Sequence, residues 1–198
     1  VLLGDQVPSS NEAGLAELER ALTQLGTPAV VIAGPREVSA EKGAEFLRRF
    51  GPHDHVWRMK GARFFAYYSA SSSLGNRGLA RLDGFLSQLS EPEATETPLI
   101  GVSHVPPFDP NDLRDNAFHN ELEASQLVAL LEENGVHQLY TGGLGTGYER
   151  MLDLETFVTT ARGTLTQPQG EWMEVVIDAE GDGRLIGETS VDARRIEL

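Results

Sequence analysis

The residues able to do chemistry gather where short apolar runs stop. Gly4-Asp5 closes the run at 1–3, and Gly34-Pro35-Arg36-Glu37 closes the run at 29–33. Ser103-His104-Val105-Pro106-Pro107 closes the run at 99–103, and Gly142-Gly143-Leu144-Gly145 follows the run at 137–141. In an open α/β sheet, ligands bind beyond the carboxyl ends of the strands, so these four segments are expected to converge on one rim. Arg36 is the cation of that set. Arginine grips phosphate through two parallel hydrogen bonds, and glycine-rich turns offer backbone N–H groups to anions. Arg36 with residues 142–147 is therefore a candidate anion site. The plain alternatives are a strand-end carboxylate at Asp5 satisfied by backbone amides, and an imidazole at His104 packed beside Pro106-Pro107.

Other clusters carry weaker signals. The glycine run at 142–147 is spaced GxGxG rather than GxGxxG and leads toward a strand, so it fails the dinucleotide-binding pattern. His53, Asp54 and His55 have a metal-like composition and are read as a surface loop. Asp109, Asp112, Asp115, Glu121 and Glu123, with His119, lack calcium-loop spacing and a central glycine, and read as a solvated loop. Ser71-Ser72-Ser73 has no nucleophile elbow around it. The chain has no cysteine, which excludes disulfides, thiolate metal sites and cysteine nucleophiles.

The elements that must position the rim follow from periodicity. Leu15, Leu18, Leu22 and Leu25 have helical spacing behind the cap candidates Ser9, Ser10 and Asn11. Residues 29–33 read as a fully buried strand. Ser39 can cap a helix carrying Phe46 and Leu47 that stops at Gly51-Pro52. Residues 55–59 and 62–69 flank Lys60-Gly61 as a hairpin. Leu79, Leu82, Leu86 and Leu89 mark a helix, 99–103 a strand, and 108–119 a long polar surface loop. A helix through Leu122, Leu127, Leu130 and Leu131 ends at Asn134-Gly135, and a strand at 137–141 follows. Strands at 156–160, 172–177 and 184–189 complete the chain. The 198 residues form one α/β domain by this pattern, with 40% apolar and 23% charged residues. The formal net charge of −14 makes nucleic acid and anionic lipid poor partners. No apolar run approaches the roughly 18 residues of a membrane span. The chain opens inside an apolar run without an initiator Met, so sequence upstream of Val1 is expected.

In order and spacing, the four rim segments resemble the motif blocks of the calcineurin-like metallophosphoesterases: DxH, GD, GNH followed by D or E, a His before a Pro-rich loop, and GHxH. Phe50-Gly51-Pro52, Ser71-Ser72-Ser73-Leu74 and Ser103-His104-Val105-Pro106-Pro107-Phe108 resemble the family's flanks. Gly147-Tyr148-Glu149-Arg150 resembles the GYER of the branch nearest the purple acid phosphatases, whose members are often exported. The resemblance spans nearly all 198 residues. It implies a sandwich of two mixed β-sheets flanked by helices, as a single domain over 1–198 that lacks its N-terminal strand, the chain beginning after the place of the DxH block. It also implies two-metal phosphoester hydrolysis by Mn, Fe or Zn.

On that template Asp5 takes the place of the bridging carboxylate and His104 that of a ligand to the second metal. Pro35 and Arg36 stand at the asparagine and histidine of GNH, and Gly143 and Gly145 at the two histidines of GHxH. Proline and glycine have no side-chain donor atom, and a guanidinium repels cations. The resemblance therefore implies a degenerate member, a pseudophosphoesterase that takes no cofactor and serves protein binding or assembly. In it Arg36 fills the cation space, paired with Asp5 and Glu37. A hydrolase with one metal on Asp5, His104 and ligands upstream of Val1, with Arg36 holding the phosphate, and a metal-free anion-binding module using Arg36, are the alternatives.

Overall fold

The computed structural model describes residues 1–7, 12–38, 43–59, 62–89, 98–109, 117–143, 148–151, 157–160, 174–176 and 188–190. The elements run α1 (Glu12–Leu25), α2 (Gly43–Phe50), β1 (His55–Met59), β2 (Ala62–Ala66), α3 (Gly75–Leu89), β3 (Leu99–Ser103), α4 (Glu121–Glu133), β4 (Val136–Thr141), β5 (Tyr148–Met151), β6 (Phe157–Thr160), β7 (Glu174–Val176) and β8 (Glu188–Ser190). Six strands form one mixed sheet in the order β1-β2-β3-β4-β6-β5, and β7 and β8 form an antiparallel pair. The central pairs β2–β3, β3–β4 and β4–β6 are parallel, while β1–β2 and β5–β6 are antiparallel.

Period-2 alternation divides the apolar strands between two faces. Phe65, Leu99 and Leu139 face α3 and α4, packing with Leu82, Leu86, Leu127 and Leu131. Phe64, Ala66, Ile100 and Val102 face the other way, onto Leu3, Val30 and Ile32. Val31 and Ala33 turn their backs on that contact and pack with Leu15 of α1 and Phe46 of α2. The layers are therefore helix, sheet, an extended pair of segments, and helix. Each fully buried leucine contributes about 1.5–3 kcal/mol.

The mixed α/β architecture agrees with the sequence reading, and the second layer differs in detail. Among the described residues it is one parallel bridge, Leu2 with Val31. Leu2 N–H donates to the Val30 carbonyl, and Ile32 N–H to the Leu2 carbonyl, both at 2.8 Å. The segment 29–33 is not buried throughout, since Ala29 is exposed where the chain leaves Gly26, whose φ of 63° ends α1. Leu25 and Leu47 are exposed, at 67% and 43%, because each has turned past its helix's buried stripe. The second hairpin strand stops at Ala66, short of Ser69. The caps Ser9, Ser10, Asn11 and Ser39 and the Lys60-Gly61 turn lie outside the described residues.

Two clusters read from sequence as solvent-facing loops have structural work. Glu123 is 8% exposed and sits in α4, where its carboxylate accepts hydrogen bonds from Ser73 Oγ, Leu74 N–H and Gly75 N–H. It caps the N-terminus of α3 from another helix. Ala117 and Phe118, at the end of the long polar segment, are buried, because Phe118 joins the α3–α4 core. His53 stacks on Phe46 and Tyr68, with ring centroids 5.2 and 4.9 Å away. Asp54 accepts from Tyr68 N–H at 2.8 Å and pairs with Arg81 at 2.6 Å, and His55 Nδ1 lies 3.1 Å from the Pro52 carbonyl. Across the α1–α2 contact, Arg49 reaches Glu19 and Glu45. Arg48 and Arg49 together hold the Glu45 carboxyl down to about 2.

Glu123→Ala should cost about 2 kcal/mol of unfolding free energy in urea titration, since it strands two backbone N–H groups. A pH effect should come from His53, whose protonation is disfavoured by burial and, to a lesser extent, by Arg81 and His55, against the opposing pull of Asp54. Its folded value lies below the ordinary 6.5, so the unfolded chain binds more protons. This contribution is complete above 6.5 and is lost as pH falls through the folded value. His53→Phe keeps the stacking and should flatten that part of a Tm–pH profile.

Candidate functional site at the sheet rim

Parallel pairing of Leu2 with Val31 brings the next residues of both segments to the same end, so Asp5 and Gly34 arrive side by side. The contact is too close for a side chain on either glycine. A Cβ on Gly34 would lie 2.5 Å from Asp5 Oδ1, and one on Gly4 would lie 2.4 Å from His104 Nδ1. Gly4 and Asp5 both have left-handed backbone, with φ of 88° and 58°. That conformation costs an L-residue about 1–2 kcal/mol, so something must hold it.

Glu37 holds it. This side chain is fully buried, at 0% exposure. Its carboxylate accepts from Asp5 N–H at 2.8 Å, Gly34 N–H at 2.9 Å and Val7 N–H at 3.1 Å. The sequence reading paired Glu37 with Arg36, and the structure corrects that. A tight turn, closed by Glu37 N–H on the Gly34 carbonyl at 3.1 Å, points Glu37 inward and leaves Arg36 exposed. The available signal was its place three residues after Gly34, at the closing position of a turn.

His104 is fixed as firmly, with 3% exposure. Ser69 Oγ accepts from His104 N–H at 3.1 Å and Val105 N–H at 2.8 Å, and the His104 carbonyl accepts from Gly142 N–H at 3.0 Å. His104 Nδ1 is 2.6 Å from the Leu3 carbonyl. A carbonyl only accepts, so Nδ1 carries a proton, and Nε2 faces Asp5, 3.7 Å from Oδ2. Ser69 was not singled out from sequence, because a lone buried serine has no pattern.

Arg36 meets Asp5 twice. Its backbone N–H donates to Asp5 Oδ1 at 3.1 Å, and its Nε lies 3.7 Å from Oδ2. The expected Arg36–Asp5 pairing is present, with side chains 45% and 21% exposed. Gly143 adjoins the same spot with φ of 85°, and a Cβ there would lie 3.4 Å from His104 Nε2. The rim thus gathers Asp5, Arg36, His104 and Gly143, with Pro35 exposed in the turn between Gly34 and Arg36. Gly145 and the rest of 144–147 lie outside the described residues. An open cleft of about 410 Å³ elsewhere, lined by Leu22, Val30, Phe50 and His55 among others, includes none of these residues.

This donor set does not fit a two-metal centre. Two ions about 3.5–4 Å apart need several carboxylate, imidazole or amide donors converging at about 2–2.3 Å. Among the described residues the rim offers the Asp5 carboxylate and one imidazole nitrogen of His104, beside the Arg36 guanidinium. No group of three or more His, Cys, Asp or Glu residues able to hold a metal ion occurs among the described residues. What the arrangement does without metal is give the Asp5 carboxylate a guanidinium and a backbone amide as partners.

No family model and no curated protein sequence matches the chain. Solved structures do. A dimetal phosphatase from Danio rerio superposes with a TM-score of 0.59 at 12% identity, over 84% of this chain and 72% of that one. GAP50, the anchor in the inner membrane complex of Plasmodium, gives 0.51 at 12% identity, over 96% of this chain and 77% of that one. The protein TT1561 of Thermus thermophilus gives 0.49 at 16% identity, over 82% and 73%. At these identities the likeness concerns the fold alone, which is similar to that of the Danio rerio dimetal phosphatase.

Glu37→Ala leaves three N–H groups without their acceptor and should cost about 3–5 kcal/mol by urea titration. Glu37→Gln keeps one acceptor oxygen and should cost less. Equal, small losses for both would show that the carboxylate does not hold the turn.

Proposed function

We propose that this chain is a non-catalytic relative of the calcineurin-like metallophosphoesterases, of the purple-acid-phosphatase-like branch, that takes no metal cofactor and uses the scaffold to bind or assemble with a protein partner. The reading treats 1–198 as one such domain. One observation carries it: the positions that resemble the GNH and GHxH ligand motifs hold Pro35, Arg36, Gly143 and Gly145, none of which can donate a lone pair to a metal. A hydrolytic centre of this kind must generate hydroxide and neutralise phosphate charge with cations, and Asp5 and His104 beside a guanidinium are a poor seat for the second ion. The fold neighbours are consistent with two destinies for one scaffold. One is named a dimetal phosphatase, and the other an anchor in an inner membrane complex. The donor set favours the second kind of role. No helix among the described residues is long and apolar enough to cross a membrane.

The test is direct. Purified protein incubated with Mn²⁺, Fe²⁺ or Zn²⁺ and desalted should retain far less than one metal per chain. It should not hydrolyse a chromogenic phosphomonoester or phosphodiester above the protein-free blank. Hydrolysis that depends on added metal and disappears in Asp5→Ala would overturn the reading in favour of a one-metal hydrolase.

A further inference from the structure

One edge of the main sheet is uncovered. Among the described residues β1 pairs with β2 alone, so alternate backbone N–H and C=O groups on its other side have no strand to pair with. We infer that this edge is a docking site for an extended, acidic segment of a protein partner, which adds antiparallel to β1 and seats an aromatic side chain in the cleft beside His55. The inference rests on the partner-binding reading above and gives that partner its chemistry.

Both faces of the strand suit such a guest. On one face His55 stacks on Trp57 and Trp57 on Phe64, with ring centroids 5.2 Å apart in each pair. Trp57 is half-buried against the core formed by Ile32 and Phe64, and Met59, next on this face, is 52% exposed. The cleft of about 410 Å³ starts at His55 and is walled by Leu22, Val30 and Phe50. Its size falls in the range of ligand pockets, and its apolar walls suit an aromatic anchor. On the other face Val56 and Arg58 are exposed, and Arg58 lies opposite Arg63 in the β1–β2 register.

Charge selects the occupant. Residues 55–66 hold Arg58, Lys60 and Arg63 and no acid, in a chain with 30 acids and a net charge of −14. Like charges directly opposite each other destabilise a strand pair. A carboxylate arriving on the far side of Arg58 offsets that repulsion. The same charges disfavour a second copy of this chain, since two β1 edges paired about a twofold axis would bring two basic strand pairs together. They also set the order of the guest. In an antiparallel pairing the residue opposite Arg58 is an acid, those opposite Met59 and Trp57 are apolar, and the one opposite His55 is aromatic.

The probe is a dye-labelled peptide of order Val-Glu-Val-Thr-Phe between polar ends, titrated with the full chain and followed by fluorescence anisotropy. Saturable binding is expected. Arg58→Glu should weaken it at least about fivefold, since attraction turns to repulsion. A Val-Lys-Val-Thr-Phe probe should bind Arg58→Glu more tightly than it binds the unmodified protein, and that charge swap also shows the variant to be folded. Ala29→Trp fills the cleft from an exposed position and should weaken the first probe by a similar factor. Bound probe should slow hydrogen exchange at 55–59 and leave 4–5 and 34–37 unchanged. Absence of saturable binding, or binding indifferent to Arg58→Glu, overturns the docking site. Binding indifferent to Ala29→Trp overturns the anchor in the cleft, and protection away from 55–59 overturns strand addition. A protein that holds no metal, hydrolyses no phosphoester and ignores the probe keeps the functional reading and loses this surface. Metal-dependent turnover defeats the functional reading whatever the probe does.

Discussion

A buried carboxylate accepting three backbone N–H groups sets the geometry of the whole rim. Glu37 comes from one loop, and two of its three donors, Asp5 and Val7, belong to another, 32 and 30 residues away in sequence. Among the described residues the second layer contributes one parallel bridge between Leu2 and Val31, whereas the main sheet has six strands. Charge-assisted bonds to backbone N–H groups are about twice as strong as neutral ones, and burial removes competing water. The left-handed turn at Gly4-Asp5 and the glycine contact at Gly34 are tolerated because Glu37 holds both ends at once. Everything nearby inherits that arrangement: Asp5 is where it is because Glu37 is, and His104 is placed by contact with the same turn.

The fold was largely legible in the sequence, for a simple reason. Strands buried on both faces read as continuous apolar runs, as 99–103 does, and amphipathic helices read at 3–4 spacing, as Leu82 and Leu86 do. The convergence of Gly4-Asp5, Gly34–Glu37, His104 and Gly142-Gly143 was also legible, since parallel strands end on one side. Residues whose role depends on a distant partner were not legible. Glu123 looked like one acid in a solvated stretch, yet it caps a helix 48 residues back through Gly75. His53 and Asp54 do lie in a loop, but the sequence did not show that they are stacked and hydrogen-bonded there. Long-range capping leaves no periodic trace, because a carboxylate that accepts from backbone N–H groups needs no matching side chain.

The same distinction explains how a rim can keep its shape while its donors change. Gly34, Glu37 and His104 are buried, whereas Pro35, Arg36 and Gly143 are exposed. A side chain at the buried positions answers to packing and to hydrogen bonds with other segments. Replacing Gly34 with anything larger drives a Cβ into Asp5, and replacing Glu37 strands three amides. An exposed side chain whose one task is to hold an ion has no such duty to the fold. If the ion is no longer needed, its donors can go while the turn persists, and a carboxylate left behind then requires a counter-charge. Arg36 is one residue from the turn's closing Glu37 and already donates its backbone N–H to Asp5. A guanidinium there supplies that charge without disturbing the buried frame. On the functional reading proposed above, the scaffold is preserved because its folding residues and its ligand positions are different residues, interleaved in one short turn.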